Sequence, residues 1–119
     1  MTYIDGFVLA VPKSRLDDYK KLAKLASEVW REYGALSYVE AVADDVPYGQ
    51  LTSFPRAVIC KDDETVVFAW ITYKSRQHRD QVNEKVMADQ RMKDQMLAGD
   101  MPFDGKRMIF GGFEAMIES

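Results

Sequence analysis

The stretch TVVFAWITY, Thr65 to Tyr73, decides the fold. It is dense in β-branched and aromatic residues and follows the polar turn Lys61-Asp62-Asp63-Glu64, the composition and punctuation of a strand. Upstream, Arg56 to Lys61 reads as a short extended piece. Asp45 to Pro55, with Pro47, Gly49 and Pro55, reads as a loop. Leu36 to Asp44 alternates, setting Val39, Ala41 and Ala43 against Tyr38, Glu40 and Val42, and is a second strand. Before it, Leu16, Tyr19, Ala23, Ala26, Trp30 and Tyr33 recur at steps of three and four, the stripe of an amphipathic helix. Ser14 is the expected cap, Asp17 and Asp18 favour the positive helix end, and Gly34 is the natural stop. Thr2 to Val11 alternates as an opening strand that Pro12 ends.

Downstream of Tyr73, Ser75 can cap a helix whose inner stripe is His78, Val82 and Val86. A short continuation carries Met92 and Met96 and ends at Gly99. After a loop closing on Asp104-Gly105, Arg107 to Ile117 forms a last strand broken by Gly111 and Gly112. The order is βαββαβ, which predicts a single α+β ferredoxin-like domain over residues 1–119: a four-stranded antiparallel sheet with helices on one face.

The bulk numbers agree with one globular domain. The chain has 119 residues, 47% hydrophobic and 29% charged, enough for one core. A net charge of −3 gives no general attraction to phosphate backbones or anionic membranes, so nucleic acid and membrane are not expected partners. The apolar run Phe7 to Val11 lacks a basic leader, and Cys60 is the only cysteine; both favour a cytoplasmic protein. With one cysteine and one histidine, His78, a site of two thiolates or two imidazoles is ruled out. No cofactor motif occurs.

The strand faces suggest a dimer. Placed on the face away from the helices, Tyr3, Phe7, Leu9, Tyr38, Val67, Ala69, Ile71 and Tyr73, with Asp5, Glu40 and Glu114 among them, form a surface too apolar to face water. A second copy pressed sheet to sheet would cover it. A slip of one residue would exchange the two faces.

The segments SYVEAVADDVPYG (Ser37 to Gly49), TVVFAWITYKSRQHRDQVNEKVMAD (Thr65 to Asp89) and MPFDGKRMIFGGF (Met101 to Phe113) resemble the signature stretches of the uncharacterised bacterial YbaA-like proteins, a family whose domain has no known function. That resemblance implies the dimeric α/β-barrel superfamily, in which two ferredoxin-like units pack their sheets, and so a homodimer. It brings no activity with it.

Several residues can carry chemistry. Asp5, Glu40 and Glu114, with Tyr3, Tyr38 and Tyr73, could share a water-lined pocket where carboxylates raise one another's pKa and act as acid or base. Strands one and three are expected to run parallel and strand four opposite, which gathers Lys74, Arg76, Arg79, Lys106 and Arg107 at one edge beside the second helix, a site for a small organic or anionic ligand. Haem-degrading monooxygenases of the barrel fold use an asparagine on the first strand, a tryptophan on the third and a histidine on the next helix. Trp70 and His78 lie on similar elements, but the first strand has Phe7 and no asparagine. That analogy makes His78 and Trp70 catalytic candidates, and Glu40, as a pocket carboxylate able to act as acid or base, is the third. The remaining reading is a purely structural or partner-binding dimer.

Overall fold

A computed structural model describes residues 1–119. The strands are β1 (Tyr3–Pro12), β2 (Ser37–Val42), β3 (Glu64–Tyr73) and β4 (Ile109–Glu114), and the helices are α1 (Leu16–Glu32), α2 (Phe54–Ala57), α3 (Arg76–Ala88) and α4 (Gln90–Leu97). They form one antiparallel sheet in the order β2-β3-β1-β4, the ferredoxin-like arrangement that the element order predicts. Short 3-10 turns over Lys13–Arg15 and Gly105–Arg107 precede α1 and β4.

Local chemistry explains most boundaries. The Ser75 hydroxyl accepts from the His78 amide and starts α3, as expected. Asp89 ends that helix in extended backbone, and its carboxylate accepts from the Arg91 amide to start α4. Gly34, at φ 116°, stops α1. Ser14 caps nothing, because the 3-10 turn carries the chain directly into α1 and Arg15 stands at the cap position. Arg56 to Lys61 is not extended. Ser53 caps α2, with Pro55 in its first turn, where a missing amide is tolerated, and Arg56 to Ala57 stay helical.

Two sequence expectations about the sheet are corrected. Tyr3 pairs with Tyr73 and Pro12 with Glu64, so β1 and β3 are antiparallel. The face assignment is reversed. Leu9, Val11 and Val67 pack with Tyr19 of α1, and Ile71 and Tyr73 pack with Ala26, Val29, Val82 and Val86 of α1 and α3. The opposite face carries Val8, Ala10 and Val66, and the segment after β2 folds back over it to seat Val58 on all three. Phe54 meets Phe68 edge to face at 5.7 Å on that side. The rest of this face, from β3 across to β4, is more open: Phe68, Ile109 and Phe113 are exposed and Trp70 is half-buried.

Candidate ligand-binding cavity

The register sets a polar pattern on the helix-side face. Tyr38 and Asp5 both stand opposite Ile71, and Asp5 faces Gly112 on its other side, while Glu40 and Phe7 both stand opposite Ala69, and Phe7 faces Phe110. Two rows therefore cross the sheet, each with one carboxylate; Ala69 leaves space among larger neighbours, whereas the room a side chain would take at Gly112 is filled by the Tyr3 phenol and the Arg79 guanidinium. Above these rows α1, α3 and α4 do not close on the sheet. They leave a cavity of about 530 Å³ lined by 24 residues, 17 of them hydrophobic, within the usual size of small-molecule sites. Met87, Met96, Met101 and Phe110 line it and are also exposed, so it opens between the α3–α4 helices and the β4 edge. Met87, Met92, Met96, Met101 and Met108 all contribute, and such unbranched, polarizable side chains adapt to varied shapes.

Three polar clusters face this space. In the first, Glu40 accepts from two phenols: Tyr38 donates to Oε2 at 2.6 Å and Tyr19 donates to Oε1. Burial first, and then the Glu40 charge, push both phenols well above their ordinary range, so each remains an O–H donor. In the second, Arg79 donates to Asp5 Oδ1 at 3.1 Å and to the Tyr3 hydroxyl at 3.2 Å. Burial raises the pKa of Asp5, and the Arg79 charge opposes the rise. In the third, Asn83 Oδ1 accepts from Trp30 Nε1 at 3.1 Å and from the Tyr73 hydroxyl at 3.3 Å. Tyr73 is wholly buried, and burial and then Asp5 raise its pKa.

Of the residues singled out in the sequence, Asp5, Tyr38, Glu40 and Arg79 line the cavity, and Tyr73 lies just behind it. Glu114 pairs with Tyr3 at the sheet edge and is exposed. The expected basic edge does not form. Lys74 follows the Tyr73 end of β3, whereas Arg107 is bound to Glu64 at the other end, roughly 30 Å away for a strand of this length. Lys106 stands beside Arg107, its amide donating to Asp104. Antiparallel pairing of β1 with β3 is the cause.

Trp70 and His78 are also kept apart. Trp70 pairs with Gly6 and Val39 and takes the alternate side of β3 from Tyr73, so it points to the open face. His78 stands on the helix side with its ring at 6.0 Å from that of Tyr73, and its Nδ1 accepts from the Lys74 amide at 3.0 Å. Tyr19, Trp30 and Asn83 were not picked out from the sequence as site residues. Tyr19 and Trp30 belong to the apolar stripe of α1 and look like ordinary core residues there. Asn83 carries no motif, and only the packing of α3 against α1 and β3 gives it a role.

The topology and the enclosed space define a class: a ferredoxin-like α+β domain with an apolar cavity between sheet and helices and a few fixed polar groups inside. The chain belongs to the family described as protein of unknown function (DUF1428), whose pattern it matches over residues 2–105. It is 50% identical over 118 residues to the uncharacterized protein YbaA of Escherichia coli (strain K12) and to that of Shigella flexneri, covering 99% of this chain and 99% of each relative. This agrees with the resemblance carried by the three sequence segments. No helix is long and apolar enough to cross a membrane.

Proposed function

We propose that this protein is a homodimeric, cytoplasmic binding protein whose cavity takes one small, mostly apolar organic molecule per chain. The observation that carries this reading is the cavity itself: about 530 Å³, dominated by hydrophobic walls, with polar groups oriented by one another before any ligand arrives. Pre-oriented groups in an apolar site give specificity at low ordering cost.

Dimerisation is supported by the open sheet face. With Val58 covering Val8, Ala10 and Val66, the patch around Phe68, Trp70, Ile109 and Phe113 is left for a second copy. This is a smaller interface than a whole sheet, and on the face opposite to the one first expected. Sedimentation should show a dimer at micromolar concentration that Phe113→Asp converts to monomer. The lone Cys60 supports a reducing compartment.

The cavity is tested with N-phenyl-1-naphthylamine, a neutral probe that fluoresces in apolar surroundings. Its emission should rise saturably at one probe per chain and be lost in Ala69→Phe, which fills the floor. A linear, non-saturating rise, or the same binding in Ala69→Phe, would refute the reading.

A further inference from the structure

Charge in the cavity is unbalanced. Arg79 is the one lining cation, and its charge is already matched: Nη1 donates to Asp5 and Nη2 to Tyr3, while Nε, which makes no hydrogen bond, lies 3.0 Å from Asp80 Oδ1 as an ion pair. Glu40 takes part in no ion pair anywhere in the molecule. Lys20 and Lys24 line a neighbouring groove that Glu40 also borders, yet neither reaches its carboxylate. Glu40 is half-buried, receives only neutral donors, and those phenols occupy one lone pair on each oxygen. A partly desolvated carboxylate without a cation is costly, and a ligand that brings one would relieve that cost.

The walls around Glu40 suit such a ligand. Tyr19 meets Phe103 edge to face at 5.7 Å, and Trp30 lies 6.1 Å from Tyr38. All four rings line the cavity: Tyr19 and Tyr38 hold the Glu40 carboxylate through their hydroxyls, and Phe103 and Trp30 pack on those two rings. Rings of this kind attract alkylammonium groups through their quadrupoles. Beyond them the cavity continues as a methionine-lined passage, fit for an apolar body.

We propose that the cavity recognises an organic cation, an amine or quaternary ammonium on an apolar body, with the charged group held between Glu40 and the rings of Tyr19, Tyr38, Trp30 and Phe103. This inference rests on the cavity being a ligand site, and it names the class of ligand. It also replaces the anionic ligand expected from a basic edge that does not form.

The test compares three probes with the same ten-carbon tail, each below its micelle concentration: decyltrimethylammonium, decanol and decanoate, titrated by calorimetry. Decyltrimethylammonium should bind at least about 10-fold more tightly than decanol and decanoate. Glu40→Gln should bring it to within about threefold of decanol measured on the same variant. Equal or tighter binding of decanoate, or a preference for the cation that survives Glu40→Gln, would overturn the proposal. Should that variant fail to fold, wild-type protein still decides: nuclear Overhauser contacts from the N-methyl protons to the Tyr19 and Tyr38 rings are expected, and their absence in a saturated complex would overturn it. Failure of all three probes to bind would remove the cavity reading as well. Binding of decanol and the cation with equal affinity, lost in Ala69→Phe, would remove only the charge preference.

Discussion

Arg107 holds Glu64 through two parallel hydrogen bonds, Nη1 to Oε1 at 2.7 Å and Nη2 to Oε2 at 2.8 Å. Glu64 opens β3 and Arg107 precedes β4, with β1 between them in the sheet, so the pair ties the outer edge to the centre. The bidentate guanidinium is the main reason the Glu64 carboxyl is held down to about 2 from 4.5. A carboxyl with a depressed folded pKa stabilises the protein above its unfolded value, and that contribution disappears as it is protonated in the folded state. Stability should therefore fall as pH drops from about 4.5 to about 2. In denaturant titrations across that window, Glu64→Gln should lower stability at pH 7 and flatten the acid dependence.

Removing the other partner should cost more. Arg107→Met leaves a buried carboxylate with the Lys61 amide as its remaining donor and no cation paired to it, and its expected cost at pH 7 is about 3 kcal/mol. The variant should recover part of that loss at pH 4, where Glu64 can take up a proton. An unchanged midpoint of unfolding would show that the pair contributes nothing.

Asn83 satisfies two buried donors at once, the Trp30 indole and the Tyr73 hydroxyl. Asn83→Leu should destabilise by about 2 kcal/mol, because a fully buried phenol loses its acceptor. The double variant Asn83→Leu/Tyr73→Phe should be more stable than the single one. Additive losses would show that the two side chains do not depend on each other.

Gly49 has φ 69°, and a Cβ there would come within 2.5 Å of the Thr52 carbonyl oxygen. Its own carbonyl accepts from Arg56 Nη2 at 3.1 Å, which fixes the segment carrying Val58. Gly49→Ala should cost about 1 to 2 kcal/mol through backbone strain. Amide exchange should accelerate in residues 48–60 and leave the β1–β3 ladder protected. Uniform exchange across the chain would contradict this local account.

The element order was readable because each segment has a clear period. Leu16 to Tyr33 repeats every three to four residues and Thr65 to Tyr73 is rich in strand formers, and punctuation at Gly34 and Ser75 agrees. The faces were not readable, because both sides of this sheet are apolar. Val8, Ala10 and Val66 are as hydrophobic as Leu9, Val67 and Ile71, so alternation gives two equally greasy sets and no sign of which meets the helices. The reversed face also hid the loop cover, since Val58 looks like part of an extended piece until Ser53 caps α2. Asp5, Tyr38 and Glu40 stand out in sequence as charges and a phenol in apolar surroundings, whereas Arg79 is singled out for a basic edge that does not form and reaches the cavity through its pairing with Asp5. Tyr19, Trp30 and Asn83 do not stand out, because their roles come from contacts between α1, α3 and the sheet that no local pattern records.

Five of the seven methionines line the cavity, whereas Met1 and Met116 lie outside it and are exposed. Methyl-labelled methionine spectra therefore address the cavity directly. On titration with decanol, the methyl signals of Met87, Met92, Met96, Met101 and Met108 should shift saturably and together, while those of Met1 and Met116 stay in place. Small non-saturating shifts of all seven, or shifts at Met1 and Met116 alone, would contradict a ligand site between the sheet and the helices.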